Sequence, residues 1–290
     1  MSNTLLIIGR GYTGTAILHL AHRAGWEARV TSRRPEGPGV VAFDDPALLA
    51  GVTHLVVTAP PGPKGDPEGD PGGDPVWATH AAALRAAPLA WVGYISTTGV
   101  YGDRQGGWVE EDTSPSPGQE RSRRRLAAEE QWRELAPRVA LDIFRTGGIY
   151  GPGRSALDDV RAGTARSVVK PGHSFSRIHR DDIARAVLAA AARPPRPGPR
   201  VLHLVDDAPS TQAEVTLEAC RLLGVAPPPP TPFAEAYARM SEMGRSFWDE
   251  SRLVSSRRTQ QALGIAWAFP SYREGLAAIL AEERAQGSAE

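Results

Sequence analysis

The sequence has little cysteine and no long apolar run. Cys220 is the only cysteine among 290 residues, so no disulfide can form within the chain. The longest early apolar run, Leu5–Ile8, is too short for a signal peptide or a membrane-spanning helix. These absences predict a protein of the reducing cytoplasm that has no membrane partner.

The sequence also lacks net charge and any metal-ligand spacing. Its formal net charge is zero and its pI is about 7.1, which argues against duplex nucleic acid as a partner. The scattered histidines and the lone cysteine give no recognisable metal site. One stretch, GQERSRRRLAAEEQW (118–132), is nevertheless strongly basic. Three interpretations of this stretch are open: a solvated helix face, a nucleic-acid-binding patch or a remodelled active site. The nucleic-acid-binding patch is disfavoured because the sequence has no other basic stripe.

Continuous apolar strands alternate with amphipathic helices along most of the chain. This pattern predicts an α/β fold with a doubly wound parallel sheet covered on both faces. After about residue 206 the strands stop, which indicates a smaller, mainly helical unit. We expect residues 1–150 and 177–206 to form the nucleotide-binding domain and residues 151–176 and 207–290 the smaller substrate-binding unit. Helices are predicted near 13–24, 76–87, 119–136, 181–193, 210–223, 233–244 and 271–286.

A glycine motif follows the first strand and opens the first helix. It reads Gly9-Arg10-Gly11-Tyr12-Thr13-Gly14, the GxGxxG pattern in the context that dinucleotide binding requires. Its backbone N–H groups can approach a pyrophosphate at the helix N-terminus, where the helix dipole favours negative charge.

The end of the second strand indicates which dinucleotide binds. An acidic residue there would accept a ribose hydroxyl of NAD, whereas this chain has Ser32, Arg33 and Arg34. Because a guanidinium holds phosphate in a fork, we expect NADP, with NAD the less favoured cofactor. Ala59 and Pro60, which end the fourth strand, are expected to lie against the cofactor as well. The Gly-Asp-Pro repeat at 62–75 is either a surface loop or a lid over it.

Further motifs give the chain a family resemblance. They are STTGVYG (96–102), FRTGGIYGPG (144–153), IHRDDIARAV (178–187), HLVDDAP (203–209) and ALGIAWAFPSYREGL (262–276). With the glycine motif they resemble the extended short-chain dehydrogenase/reductases, which include NAD(P)-dependent epimerases and dehydratases. The resemblance is nearest to an atypical subgroup similar to the YeeZ-type proteins. It implies a Rossmann fold, a nicotinamide cofactor, a small-molecule substrate and a monomer or homodimer.

The resemblance also locates the expected catalytic groups. It implies that the Thr97 hydroxyl bonds the reacting oxygen of the substrate. The family's Tyr-x-x-x-Lys pair aligns with Arg121 and Arg125, ahead of the Leu-Ala-Ala-Glu run at 126–129. Arg125 keeps a cation for the nicotinamide ribose. Arg121 cannot act as acid or base, because guanidinium does not deprotonate in proteins.

The local sequence pattern places these arginines in the second and third turns of their helix, beyond the reach of the helix dipole. Ser116 is the expected N-cap, Pro117 the first helical residue and Gln119 the partner in a capping box. Arg121 and Arg125 are then four residues apart on one face.

Other residues are candidates for moving a proton. Tyr150 lies in a glycine turn at a strand end, and His179 titrates near neutrality; both also have structural interpretations in the family. Arg145 and Arg177 either bind an anionic substrate or form surface ion pairs. We therefore predict an NADP-dependent oxidoreductase or epimerase for a small polar, possibly sugar-like, metabolite. The alternative is an NADP-binding redox sensor without turnover.

Overall fold

The computed structural model describes residues 4–62 and 73–287, and a seven-stranded parallel sheet is its centre. The strand order is β11-β7-β5-β4-β1-β2-β3, and every adjacent pair is parallel. The strands are β1 (Thr4–Ile8), β2 (Glu27–Ser32), β3 (Val40–Ala42), β4 (His54–Val57), β5 (Trp91–Thr97), β7 (Ala140–Thr146) and β11 (Gly198–Leu204). The predicted doubly wound parallel sheet is confirmed, and it has seven strands.

Helices cover both faces of this sheet. They are α1 (Tyr12–Arg23), α2 (Pro75–Ala86), α3 (Glu120–Arg133) and α5 (Arg180–Ala191). α1 and α5 pack against one face, and the buried residues there include Ile7, Ile17 and Val187. The other face packs against α2 and α3 and includes Trp77 and Trp132. The central strands are buried on both sides, which is why they are apolar without alternation.

The strand order reverses direction between β1 and β4, whose registers pair Leu5 with His54 and Ile8 with Val57. In a sheet of this kind the connections leave to opposite faces at that point, so a crevice opens at the carboxyl ends of the strands. The fold thus places the glycine turn after β1 and the polar ends of β5 and β7 along one edge.

A smaller unit packs beside that edge. Its helices are α4 (Ala156–Arg161), α6 (Gln212–Leu223), α7 (Phe233–Ala238), α8 (Glu242–Ser246), α9 (Arg257–Leu263) and α10 (Tyr272–Gly287). Three two-stranded pairings connect it: β8 (Gly148–Tyr150) with β10 (Arg177–His179), β9 (Ser167–Val169) with β12 (Pro230–Pro232), and β6 (Trp108–Val109) with β13 (Leu253–Val254). The mainly helical character of this region is confirmed, whereas the domain boundaries stay a prediction.

Helix α3 begins later than its sequence pattern predicts. The N-cap is Gln119, not Ser116, and no side chain caps the helix. The Ser116 N–H instead donates to the carbonyl oxygen of Val100 at 2.9 Å, so tertiary contact holds the preceding segment extended. The Gln119 amide donates to the carbonyl of Ser246. Arg121 is therefore the second helical residue and lies in the first turn.

Within residues 4–62 and 73–287, no helix is long and apolar enough to cross a membrane.

Candidate functional site

The glycine turn after β1 has the geometry of a dinucleotide loop. Gly9 has a φ of +108°, which glycine adopts without strain. A Cβ on Gly14 would lie 2.0 Å from the Gly9 carbonyl oxygen, whereas a Cβ on Gly11 would meet nothing within 4 Å. No side chain caps α1 at Gly11. The turn is closed on its packed side and open on its outer side, where a pyrophosphate would approach the first N–H groups.

The side chains between these glycines are structural. The Tyr12 hydroxyl donates to the Pro152 carbonyl at 3.0 Å, and the Arg180 guanidinium lies 4.8 Å from its ring centroid. Burial raises the pKa of Tyr12. Thr13 is buried. The motif therefore offers its backbone to a ligand, while Tyr12 joins α1 to the loop after β8.

Three arginines surround the end of β2. Arg33 and Arg34 are exposed, and neither guanidinium has an ion pair or hydrogen bond to another described residue. Ser32 accepts from the Arg34 N–H at 3.1 Å through its Oγ. The Arg10 N–H donates to the Thr31 carbonyl of β2 at 2.9 Å, and its guanidinium donates to the Glu36 carbonyl at 3.1 Å. Arg10 belongs to the glycine turn and Arg33 and Arg34 directly follow β2, so the three residues flank the region where the adenosine ribose of a bound dinucleotide would be.

The end of β4 connects the glycine turn to a cavity. Thr58 donates to the Gly9 carbonyl at 2.9 Å, which places Ala59 directly behind the turn. Pro60 and Pro61 line the cavity. The remainder of the predicted Gly-Asp-Pro loop, residues 63–72, lies outside the described residues.

The cavity has a volume of about 590 Å³ and lies at the carboxyl ends of β4, β5 and β7. Its floor includes Thr97 and Thr98 from β5 and the following 3-10 helix, together with Gly147 and Gly148. One wall is α3, and the opposite wall comes from residues 174–177 and 246–254 of the smaller unit. A volume of this size suits a nicotinamide end and a small substrate.

Thr97 lies on the cavity floor, and its predicted bond to the substrate stays a prediction. Its Oγ1 accepts from the Gly99 N–H at 3.1 Å and so caps the 3-10 helix Thr98–Tyr101. Because the hydroxyl acts there as an acceptor, its proton stays available to donate to a ligand.

Arg121 and Arg125 both reach the cavity from α3, but their partners differ. Arg125 Nη1 donates to the Ile95 carbonyl at 2.9 Å and to the Tyr94 hydroxyl at 3.2 Å. Arg121 extends to the smaller unit, where its guanidinium lies 4.1 Å from the Phe247 ring centroid and donates to Met243 Sδ. Arg125 is thus fixed to the sheet, and Arg121 connects α3 to the segment that covers the site.

A buried polar network fixes α3 behind the cavity. Arg145 Nη2 lies 2.7 Å from Glu129 Oε2, and both side chains are almost fully buried at 3% and 0% exposure. Ser96 Oγ donates to Glu129 Oε1 at 2.5 Å. Arg145 also lies over the Tyr101 ring at 4.8 Å, and the Tyr101 hydroxyl is 2.5 Å from His203 Nε2. Arg145 is therefore neither a surface ion pair nor a substrate ligand, which corrects both predicted roles.

Comparisons with known proteins agree with this architecture. A conserved protein of unknown function from Silicibacter pomeroyi DSS is 39% identical, with a TM-score of 0.85 over 97% of this chain and 99% of that chain. Protein YeeZ of Escherichia coli (strain K12) is 24% identical over 91% of this chain and 95% of its own. A human epimerase family protein, solved with NADPH, is 23% identical with a TM-score of 0.78, covering 95% and 98% of the two chains. The chain therefore shares its fold with these solved structures, one of which is an epimerase family protein. Its similarity to YeeZ supports the predicted YeeZ-like subgroup, although no family model matches the sequence.

Two residues predicted as candidates for proton transfer lie away from the cavity. The Tyr150 hydroxyl donates to the Ser271 carbonyl at 3.3 Å and packs on Gly275 of α10. His179 is 2% exposed, and its Nδ1 accepts from the Asp181 N–H to cap α5. Neither lines the cavity. Their positions in the packing between β8, α5 and α10 give no support to the predicted catalytic roles.

Sequence reasoning missed the residues that the smaller unit contributes. Phe247, Trp248, Glu250 and Arg252 line the cavity although they belong to no family motif. Arg252 Nη1 donates to the Gly102 carbonyl and to Glu250 Oε2, each at 2.9 Å. Their mixed aromatic and charged run at 247–252 was the available signal.

Asp206, in the HLVDDAP motif, is a buried carboxylate that lies close to Arg177. It is 1% exposed, and no described group bonds its Oδ2. Burial raises the pKa of the Asp206 carboxyl to about 8, against the opposing effects of the Ala208 N–H and the Arg177 guanidinium. The folded protein therefore keeps a proton that the unfolded chain releases near pH 4.

This proton makes stability depend on pH. Because the folded state binds more protons than the unfolded state, the free energy of unfolding should fall as pH rises from about 4 to about 8. Asp206→Asn should remove this slope and stabilise the protein by about 1–3 kcal/mol at pH 8. Urea titrations across that range would measure it. Asp207→Asn, at an exposed neighbour, is the control, and parallel curves for Asp206→Asn and the parent protein would contradict the assignment.

Proposed function

We propose that the chain is an NADP-dependent oxidoreductase or epimerase that acts on a small polar metabolite. The observation that carries this proposal is the glycine turn, closed by Gly14 and open at Gly11, at the same sheet edge as the 590 Å³ cavity. A dinucleotide on the turn would direct its nicotinamide along β4 towards Thr97. When bound, NADP(H) supplies or takes up a hydride there.

The arginines at the end of β2 support NADP over NAD. Arg33 and Arg34 have no described carboxylate partner, and Arg10 lies beside them. A ribose 2′-phosphate would pair with these cations, whereas NAD would leave them unpaired. The NADPH in the human epimerase family protein is consistent with this choice at the level of the fold.

Arg33→Asp tests the cofactor preference. We expect NADPH affinity to fall about 10- to 100-fold, because a charge-assisted hydrogen bond contributes about 1.5–3 kcal/mol, while NADH affinity is retained or improved. Fluorescence titration with each dinucleotide would measure both constants. Arg196→Asp makes the same charge change in the exposed loop before β11, at the opposite end of the strands, and should alter neither. An unchanged preference in Arg33→Asp would refute the phosphate assignment.

We assign three cavity residues to the reaction. Thr97 would donate a hydrogen bond to the reacting oxygen of the substrate, and Arg125, in the position of the family lysine, would hold the nicotinamide ribose. Arg121 takes the position of the family tyrosine and would bind an anionic group of the substrate. Because Arg121 donates hydrogen bonds without releasing a proton, protons at the reacting atom would come from water.

A second candidate function is an NADP-binding redox sensor without turnover. The described cavity lining contains no tyrosine, histidine, cysteine or lysine, which favours a site that holds the cofactor without acid–base chemistry. NADPH fluorescence and absorbance, followed with a panel of carbonyl and carboxylate-bearing compounds, separate the two functions. Oxidation with any compound supports the enzyme, and binding without oxidation across the panel supports the sensor.

A further inference from the structure

The cavity carries an excess of fixed positive charge. Five guanidiniums line it, and Glu250 is the single described carboxylate among the lining residues. Glu250 pairs with Arg252, and the nearest carboxylate oxygen to Arg124 is 3.9 Å away on Glu120. The other three have no described carboxylate within 4.0 Å; they are Arg121, Arg125 and Arg177.

Neutral acceptors hold these arginines in place. Arg177 Nη1 donates to the Ser210 carbonyl and hydroxyl, each at 2.8 Å, and to the Phe175 carbonyl at 3.2 Å. Arg125 Nη1 likewise bonds the Ile95 carbonyl. No described group accepts from Nη2 of either residue. Both guanidiniums are thus oriented by the backbone and keep donors for a ligand.

Holding these cations out of water is energetically unfavourable unless an anion binds beside them. Burial lowers the pKa of both Arg121 and Arg177, which reflects the loss of hydration around each cation. Cations withdrawn from water without a partner are destabilising. Groups arranged in this way in a cleft are characteristic of binding sites.

Aromatic side chains form the wall that faces α3. Phe175, Phe247 and Trp248 line the cavity, and Phe247 is 54% exposed although Arg121 covers one face of its ring. Trp248 is fixed by a stack on His173, with ring centroids 5.2 Å apart. These rings offer flat apolar surface next to the cations.

We propose that this cavity binds a small planar organic acid that carries two negative charges. Arg121 and Arg177 hold the acid groups from opposite walls, and the aromatic wall contacts the planar part. The inference rests on the proposed function, since it takes the cavity as the substrate end of the NADP site.

The lining also disfavours a nucleotide sugar as the substrate. The reacting ring of a neutral nucleotide sugar such as UDP-glucose bears only hydroxyl groups, which need side-chain acceptors as well as donors. Guanidiniums only donate. Besides the hydroxyls of threonine and serine, the described lining offers the acceptors Gln212 and Glu250 alone, and Glu250 is occupied by Arg252.

A matched ligand series tests the proposal. Thermal stability and calorimetric affinity would be measured with isophthalate, benzoate and isophthalamide, which share a ring and differ in charge, and with phenyl phosphate and UDP-glucose. Each is titrated with and without saturating NADPH. We expect isophthalate to bind at least about tenfold more tightly than benzoate and isophthalamide most weakly. If phenyl phosphate binds in place of isophthalate, both charges lie on one phosphate group, and the assignment of two acid groups to opposite walls is overturned.

Arginine variants complete the test. Arg121→Gln should lower the affinity for isophthalate about tenfold. The affinity for NADPH should stay within about twofold of the parent value, because Arg121 contacts the segment that covers the site and not the glycine turn. Arg123→Gln, exposed on the same helix, is the control. Equal binding of isophthalamide and isophthalate, tighter binding of UDP-glucose, or no binding by any dianion would overturn the proposal. Failure of NADPH to bind in the same samples would instead refute the cofactor assignment.

Discussion

Arg145→Met should lower the free energy of unfolding by about 3–5 kcal/mol, because it removes one partner of a buried ion pair. Glu129 is fully buried, and in the variant its carboxylate would keep only the Ser96 hydroxyl, at 2.5 Å. Urea denaturation at an unchanged m value would measure the loss. NADPH affinity should fall with it, since Glu129 anchors the helix that carries Arg125.

The matched control is an exposed ion pair. Arg85 and Glu134 lie 2.9 Å apart, but their side chains are 55% and 51% exposed, so Arg85→Met should cost less than about 1 kcal/mol. Replacing both buried partners, by Arg145→Met with Glu129→Leu, should recover much of the lost stability because no charge then stays unpaired. If Arg145→Met and Arg85→Met are equally destabilising, the buried pair does not have the role assigned to it.

Much of the fold was predictable because its signals are local. The glycine turn follows an apolar strand and opens an amphipathic helix within about twenty residues, and the structure has β1, α1 and β2 in those places. The strand order and the edge that carries the site follow from general rules for doubly wound sheets. The family resemblance named Thr97, Arg121 and Arg125; all three line the cavity, and their roles stay predictions.

The errors arose where distant segments meet. Ser116 has the chemistry of an N-cap, but its backbone N–H bonds the Val100 carbonyl, and helix α3 starts at Glu120, three residues later than predicted. Arg145 has the chemistry of a ligand for an anion, but Glu129 lies opposite it on α3. In both cases a tertiary contact overrides a local preference, and no pattern in either segment records the partner.

The charge of the cavity was hidden for the same reason. Its arginines come from α3, from β10 at Arg177 and from the turn before β13 at Arg252. Each segment alone is an ordinary mixture of polar and apolar residues. The run at 121–125 was conspicuous in the sequence, yet Arg123 points to solvent and pairs with Glu120. The binding character belongs to the set of converging segments, which only the fold assembles.

Gly14→Ala should reduce NADPH affinity at least about 100-fold and destabilise the protein by about 1–3 kcal/mol through overpacking. The added Cβ would lie 2.0 Å from the Gly9 carbonyl oxygen. This oxygen belongs to the backbone and accepts from Thr58, so either the turn or the start of α1 must move. Denaturation curves and NADPH fluorescence titrations would record both effects.

Gly11→Ala separates ligand contact from packing in the same turn. A Cβ there meets no described atom within 4 Å, and Gly11 has an ordinary φ of −93°, so the fold should keep its stability. The methyl group would nevertheless occupy the open side of the turn, where the pyrophosphate approaches, and NADPH affinity should fall about tenfold or more. Loss of stability at Gly14 with loss of affinity at both positions is the pattern that a dinucleotide on this turn requires. Parent-like NADPH binding by Gly11→Ala would contradict this placement of the cofactor, because the added methyl group would stand where the pyrophosphate binds.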